Sequence, residues 1–444
     1  MAIARTVCLG FLALIVIGTV LLMAPWATGD GSWNSPMVAL FTATSAVCVT
    51  GLAVVDTGTD FSFWGQLTIL LLIQLGGLGY MTMTTFLMLL LGRKFDLKQK
   101  FAIQESFDRP FLQGSNSLIT SIIATTLIFE ITGIFLLLIV FNRDFSLSES
   151  LWLSTFHSIS AWNNAGFSLF SDSLVRYSDS LLVNIVIPAL VIFGGIGYQV
   201  IIEFYLWLRR LFSSKKARFA FSLNYKVVIS TTFLLLLIGT IAFLLVEINN
   251  PNTLEPLSFE DKLLAAWFQS MTTRTAGFNS IDIGSMTTAG IFITMGFMFI
   301  GASPSGTGGG IKTTTFRILF NCTKSALEGK DEVVLYKREV PSTLIVKAVA
   351  VVFGTAASIM VVTILISAAE TDFQFIQILF EVISAFATVG LSTGITASLS
   401  GISKLILVVA MYIGRVSILL LIAAIIGDPH PSSINYPEEN LLVG

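Results

Sequence analysis

The sequence predicts an all-α integral membrane protein: four helix/pore-loop/helix repeats around a pseudo-fourfold central pore, with eight transmembrane helices. Three observations carry this expectation. Only 12% of the 444 residues are charged and 54% are hydrophobic, with a mean hydropathy of +0.85, whereas an ordinary soluble domain has about 25% charged residues. Four stretches share one pattern: 41–51, 156–166, 267–277 and 380–390 each open on an aromatic ring and close ten residues later on glycine, with Leu or Phe following. The glycines stand 115, 111 and 113 residues apart, and three of the stretches carry Ser-Ala six and five residues before the glycine. Finally, two apolar runs flank each stretch, and each run is near the roughly 20 residues that cross a bilayer.

Taken in order, the first repeat reads as a helix over 7–24, a pore segment over 35–46 and a helix over 63–91. The second has 118–141, 147–162 and 180–208; the third has 227–246, 257–272 and a second helix from Met286; the fourth has 344–368, 373–387 and 404–426. The pore segments are too short and too polar to span. The apolar run 9–25 behind Arg5 resembles a signal peptide, but it lacks a small-residue cleavage site and opens the first repeat, so it reads as a membrane helix. The chain divides accordingly into 1–91, 92–211, 212–327, 328–428 and a cytoplasmic tail, 429–444.

Charge fixes the orientation independently. The connections between repeats carry eighteen Lys and Arg residues, among them Arg93, Lys94, Lys98, Lys100, Arg109, Lys215, Lys216 and Arg218, and the regions holding the pore segments carry five. The positive-inside rule puts the connections and both termini in the cytoplasm and the four glycines toward the outside, as in a multi-pass plasma (inner) membrane protein. Acidic residues including Asp56 and Asp282 on the outer side would draw cations to the mouth. Three cysteines without CxxC spacing and two histidines make a disulfide framework or a Cys/His metal site unexpected. The net charge of −2 gives no indication of nucleic acid.

Non-helical backbone at membrane depth is tolerated where protein buries it or where it lines a water-filled path. Gly51, Gly166, Gly277 and Gly390 permit backbone angles closed to other residues and leave no side chain in a lumen. The residues before them are Val49 and Thr50, Asn164 and Ala165, Thr275 and Ala276, and Thr388 and Val389. If these four segments meet on one axis, their carbonyl dipoles replace the hydration shell of a monovalent cation without a side-chain charge that would trap it. The fourth, Thr388-Val389-Gly390, matches the first half of the potassium channel filter sequence.

On these residues the chain resembles the superfamily of bacterial Trk and Ktr and plant HKT potassium transporters, and most closely the membrane subunit of a Ktr system. The resemblance covers the whole chain: four repeats, one glycine in each, an interrupted third repeat and an arginine in the last helix. The compact length, without the additional N-terminal helices of Trk, and the ending from Tyr436 to Gly444 favour Ktr. It implies that the glycines are potassium selectivity determinants. It also implies a homodimer, with the C-terminal end at the dimer interface, on a cytosolic KtrA-type regulatory ring that binds NAD or ATP/ADP. No connection in this chain is long enough for a nucleotide-binding domain. Sodium is an expected activator or co-permeant ion, and no covalent cofactor is implied. Gly51, where HKT members with serine favour sodium, argues for potassium.

The resemblance also makes the run from Gly301 to Gly310 an intramembrane gate. Its glycines and Pro304 cannot remain helical, so the second helix of repeat three breaks below the filter. Ser305, Gly306, Thr307, Gly308, Gly309, Gly310 and Lys312 form the candidate gate with Arg415. An arginine inside the apolar run 405–426 costs about 2.5 to 3.5 kcal/mol on insertion scales, and its five donors suit the free carbonyls of a broken helix. The motif is no phosphate-binding loop: its spacing does not fit GxxxxGK[ST] and no strand precedes it.

Arg274 and Glu381, three and nine residues before their glycines, are expected to pair behind the filter as a pore-bracing ion pair, with Glu130 as second choice for the arginine. His157 and Cys48 read as packing residues. Gly76, Gly77 and Gly79, like Gly194, Gly195 and Gly197, read as close helix contacts. Competing readings are the potassium-translocating subunit of an ATP-driven pump and a pathway with substantial sodium permeability. An intramembrane enzyme would need a His/Glu or Ser/Lys pair at plausible depth, which the sequence does not offer.

Overall fold

The computed structural model describes residues 2–79, 115–212 and 219–426. The basic residues at 93–109 and 215–218, the far end of the helix expected to reach residue 91, and the tail 429–444 fall outside the described residues. Within them a long apolar helix, a short helix and a second apolar helix follow one another four times. The first set is α1 (Ala2–Met23), α2 (Pro36–Val47) and α3 (Phe63–Leu78). Next come α4 (Ser115–Phe141), α5 (Leu147–Trp162) and the pair α6 (Leu181–Gly195) and α7 (Tyr198–Leu211). The third comprises α8 (Leu223–Glu247), α9 (Phe259–Thr272) and the pair α10 (Thr288–Phe299) and α11 (Thr313–Leu327). The last comprises α12 (Ser342–Ala369), α13 (Phe375–Ala387) and the pair α14 (Gly401–Val416) and α15 (Ile418–Ile426). Among the described residues α1, α4, α8 and α12 are each long and apolar enough to cross a membrane. Their outer faces leave Val20, Phe135, Phe233 and Phe353 more than 60% exposed, a surface suited to lipid.

The short helices start on strong caps. Ser146 with Glu149, and Gln374 with Gln377, form capping boxes; Ser258 accepts the Asp261 N–H; and α2 starts at Pro36, where a missing N–H costs nothing. Three of the leading aromatics, Phe41, Phe156 and Phe380, are fully buried, while in the third stretch Phe268 takes the buried place. Trp267 instead donates from its ring nitrogen to the Asn184 carbonyl at 3.3 Å.

All four short helices end alike. Two residues before each glycine the backbone turns left-handed, at Val49 (φ 50°), Asn164 (φ 56°), Thr275 (φ 65°) and Thr388 (φ 51°). For side-chain-bearing residues, most of all β-branched ones, this costs on the order of 1–3 kcal/mol each. The following N–H then returns to the helix: Thr50 to Ser45, Ala165 to Ser160, Ala276 to Thr272 and Val389 to Ser384, at 2.8, 2.8, 3.0 and 2.9 Å. The bond spans five residues in the first, second and fourth segments and four in the third, and each segment then leads directly into its glycine.

Two helices expected to be continuous are broken. The segment 180–208 is the pair α6 and α7, bent by 103°, and 404–426 is the pair α14 and α15, bent by 92°. The hinges are Gly197 (φ 91°) and Ser417 (φ 74°), and α3 ends in the same way at Gly79 (φ 81°). The reason at Gly197 is visible: a side chain there would strike the Pro304 carbonyl, and the Tyr198 N–H donates to Ser305 O at 3.2 Å instead of within its helix. Hydropathy runs across such breaks unchanged.

Candidate cation filter and gate

The four glycines meet. A Cβ placed on Gly51 would stand 2.5 Å from the Ala165 carbonyl oxygen, and one on Gly166 2.8 Å from the Ala276 oxygen. On Gly277 it would stand 2.5 Å from the Val389 oxygen, and on Gly390 it would strike that of Thr50. Each glycine thus backs onto the carbonyl preceding the next, and the ring closes in chain order. All four have positive φ, from 69° to 92°, so two separate demands exclude a side chain. The C-terminal ends of α2, α5, α9 and α13 lead into this ring, and the partial negative charge of a helix C-terminus favours a cation there.

The Ser-Ala signature has a role at the ring. Ser45 and Ser384 accept the N–H of Gly51 and Gly390, each at 3.1 Å. In the other two segments a hydroxyl donates to the carbonyl just after the glycine, Ser160 to Phe167 at 2.8 Å and Thr272 to Phe278 at 2.6 Å. On one side the ring opens into a cavity of about 430 Å³ lined by all four glycines and by Asp56 and Asp282. Both carboxylates also cap local turns, Asp56 at Gly58 and Thr59 and Asp282 at Gly284.

On the other side lies the loop between α10 and α11. Its ends pair, with Gly301 N–H on Ile311 O at 2.9 Å and Ala302 N–H on Gly309 O at 3.1 Å. Ser303 and Thr307 donate their N–H groups to the last carbonyls of α6, Gly195 and Gly194, at 2.9 and 3.1 Å. The Thr307 hydroxyl reaches Asn164 Oδ1 at 2.8 Å and Trp162 O at 3.2 Å. Gly308 and Gly309 press so closely on the hydroxyls of Thr275 and Thr388 that neither could carry a side chain. The Lys312 ammonium turns back to Gly308 O at 2.8 Å. Ser305 and Gly306 sit against α6 and α7, where a Cβ on Gly306 would stand 2.5 Å from the Gly195 carbonyl.

Arg415, in the last turn of α14, donates to Thr307 O through one terminal nitrogen and to Gly76 O through the other, which also lies 3.4 Å from Gly77 O. The partners are main-chain oxygens near helix ends and in the loop, where a guanidinium fork is most useful. The link to Gly76 and Gly77 was not legible in the sequence. Gly76, Gly194 and Gly414 lie against the carbonyls of Val47, Trp162 and Phe386, so that any Cβ would collide.

Arg274 and Glu381 do not pair, contrary to the expectation. Arg274 is buried and donates through Nη2 to Gly301 O at 2.9 Å, with Nη1 unpartnered among the described residues. Glu381 accepts from the hydroxyls of Ser392 and Thr396, each at 2.7 Å, and from Thr393 N–H at 2.9 Å. Glu130 instead accepts from Asn163 Nδ2 at 3.4 Å. The reason is depth: positions three and nine residues before their glycines are separated by about 9 Å along equivalent helices, so the arginine faces the loop and the carboxylate faces the cavity side. Cys48 is buried, and His157 is more than packing, since its Nε2 lies 2.9 Å from the Ser168 hydroxyl.

The family described as TrkH, cation transport protein, matches residues 6–436. The Ktr system potassium uptake protein B of Bacillus subtilis (strain 168) is 40% identical over 444 residues, covering 99% of this chain and 96% of that protein. The Ktr system potassium uptake protein B of Vibrio alginolyticus is 38% identical, with 99% and 94% covered. The potassium/sodium uptake protein NtpJ of Enterococcus hirae is 35% identical, with 98% and 96% covered. Among solved structures, the crystal structure of the potassium transporter TrkH from Vibrio parahaemolyticus superposes with a TM-score of 0.70 at 17% identity, covering 95% of this chain and 85% of that one. That likeness concerns the fold.

Proposed function

The chain belongs to the TrkH family of cation transport proteins, and from that premise we propose that it carries potassium into the cell through the ring of Gly51, Gly166, Gly277 and Gly390. The observation carrying this reading is the closure of that ring, each glycine against the carbonyl before the next. In this reading eight spans in four repeats surround one axis, with both termini cytoplasmic. The carbonyls of Val49, Thr50, Asn164, Ala165, Thr275, Ala276, Thr388 and Val389 and of the glycines coordinate a dehydrated cation. A membrane potential of 100 mV supplies about 2.3 kcal/mol per charge, enough to drive accumulation without ATP hydrolysis by this chain. A relative named as a potassium/sodium uptake protein supports sodium as a second ion. The name Ktr system carried by two relatives supports a membrane subunit that works with other components; a homodimer on a cytosolic KtrA-type ring holding the regulatory nucleotide is part of this proposal.

The loop 301–310 with Lys312 and Arg415 is the gate of this proposal. It lies across the ring's inner side, pinned to the first, second and fourth repeats by Arg415 and Thr307. Opening must break those bonds. Thr307→Val removes the hydroxyl bonds to Asn164 and Trp162 and should raise basal potassium flux about five- to tenfold, the equivalent of one hydrogen bond of about 1 kcal/mol; rubidium influx into potassium-depleted cells measures it.

The primary test is potassium against sodium uptake by a potassium-requiring cell carrying the chain, with and without Gly51→Ser. The chain should support growth at low potassium, and the serine variant should favour sodium relative to it. Equal uptake of the two ions by the unaltered chain would sink the filter reading.

A further inference from the structure

His157 and Glu381 occupy the same place in their repeats, nine residues before Gly166 and Gly390, and each reaches the serine two residues after that glycine. Glu381 Oε1 accepts from the Ser392 hydroxyl at 2.7 Å. His157 Nδ1 lies 2.8 Å from the Leu153 carbonyl, which can only accept, so Nδ1 carries the proton. Nε2 is then the acceptor in the neutral ring, and the Ser168 hydroxyl donates to it at 2.9 Å. The serines match in their second bond as well. Ser168 Oγ accepts the N–H of Phe170 at 3.0 Å and Ser392 Oγ accepts that of Gly394 at 2.9 Å, both two residues further on. An imidazole and a carboxylate, chemically unlike, thus serve one purpose, since each accepts from a serine hydroxyl that in turn holds the strand leaving the ring.

The other two repeats lack both halves. There the position nine before the glycine is Thr42 or Phe268, and the position two after it is Ala53 or Asn279. Serine and its buried acceptor occur together or not at all. His157 and Glu381 are 0% and 1% exposed, so neither touches an ion in the cavity, whereas Ser168 and Ser392 line it. Burying an acceptor at this depth without a partner would cost free energy, and the serine hydroxyl relieves it.

We propose that His157 and Glu381 are positioning residues for ion selection: through Ser168 and Ser392 they fix the outer backbone of the second and fourth filter segments, and thereby the spacing of the carbonyl ring. The inference rests on the filter reading above. Displacement of coordinating oxygens lowers discrimination between ions of different radius more than it lowers passage, so the readout is the ratio of potassium to sodium transport.

The test uses the full chain in proteoliposomes, with rubidium and sodium influx measured side by side. Ser168→Ala and Ser392→Ala should each lower the potassium-to-sodium ratio about three- to tenfold, as expected for one lost hydrogen bond, with total flux falling less. Ser168→Thr and Ser392→Thr keep the hydroxyl and should restore the ratio. A ratio unchanged in both alanine variants, or lowered equally by the threonine variants, overturns the positioning role. Gly51→Ser run alongside separates the failures: if it shifts the ratio while the alanine variants do not, the filter stands and the brace falls. If it is silent too, the filter reading itself falls.

Discussion

Gly277→Ala should reduce potassium influx by about a hundredfold or more while the protein still accumulates in the membrane. The added Cβ would stand 2.5 Å from the Val389 carbonyl oxygen and 2.9 Å from Gly166 Cα, and neither is the flexible end of a side chain that could turn away. Backbone must move, and the backbone there is the ring itself. Alanine is also strained at φ 78°, by about 1 kcal/mol or more. Displacing one segment alters its neighbours, because each of the four rests on the next. Gly296→Ala is the matched control: among the described residues nothing lies within 4 Å of an added Cβ, in the exposed face of α10, and a helical Gly→Ala change is stabilising by about 0.5–1 kcal/mol. Rubidium influx normalised to membrane protein compares the two. Near-normal influx in Gly277→Ala would remove that glycine from the conduction path.

Arg415→Ala should have the opposite sign, raising basal potassium flux about tenfold to a hundredfold in the absence of any partner subunit. The guanidinium joins Thr307 of the loop to Gly76 at the end of α3, so its removal frees the loop and takes the charged donor from both carbonyls, leaving Gly76 O with the Gly79 N–H at 3.3 Å. Charge-assisted hydrogen bonds contribute about 1.5–3 kcal/mol each, and every 1.4 kcal/mol is a factor of ten. Removing a fixed positive charge beside the path also lowers the electrostatic barrier to a cation. Arg415→Lys should fall between, since a compact ammonium on a flexible stem keeps the charge but not the planar fork that spans both oxygens. Flux in Arg415→Ala at or below that of the unaltered chain would count against the gate. A leak carrying sodium and potassium equally would place the damage at the ring instead.

The loop 301–310 and the glycine ring are joined by direct contacts, which gives the two predictions a common basis. Asn164 stands in the left-handed turn before Gly166 and accepts from the Thr307 hydroxyl. Gly308 and Gly309 abut Thr275 and Thr388, the same turn in the next two segments. Loop movement therefore releases contacts on three of the four turns that hold the ring, and Thr307→Val, weaker than Arg415→Ala in expectation, acts on the first of them.

Much of this architecture is legible along the chain because it depends on local chemistry. Even glycine spacing, paired apolar runs and the excess of basic residues in the connections follow from backbone freedom, bilayer thickness and the cost of moving charge across a membrane, none of which requires knowing what lies next to what. The glycine-rich break at 301–310 and the cost of Arg415 in an apolar run are local in the same sense. Contacts are not. The bend at Gly197 against Pro304 and the reach of Arg415 to Gly76 were decided by packing between repeats more than a hundred residues apart, while the left-handed turns at Val49 and Thr388, the failure of Arg274 to find Glu381 and the serines eleven residues from His157 and Glu381 were decided by how each repeat folds back on itself. Hydropathy is blind to a bend inside an apolar run, and charge complementarity is blind to depth. The reason is geometric: inside a membrane the partner of a polar group is whichever donor or acceptor shares its level, and only the folded chain sets the levels.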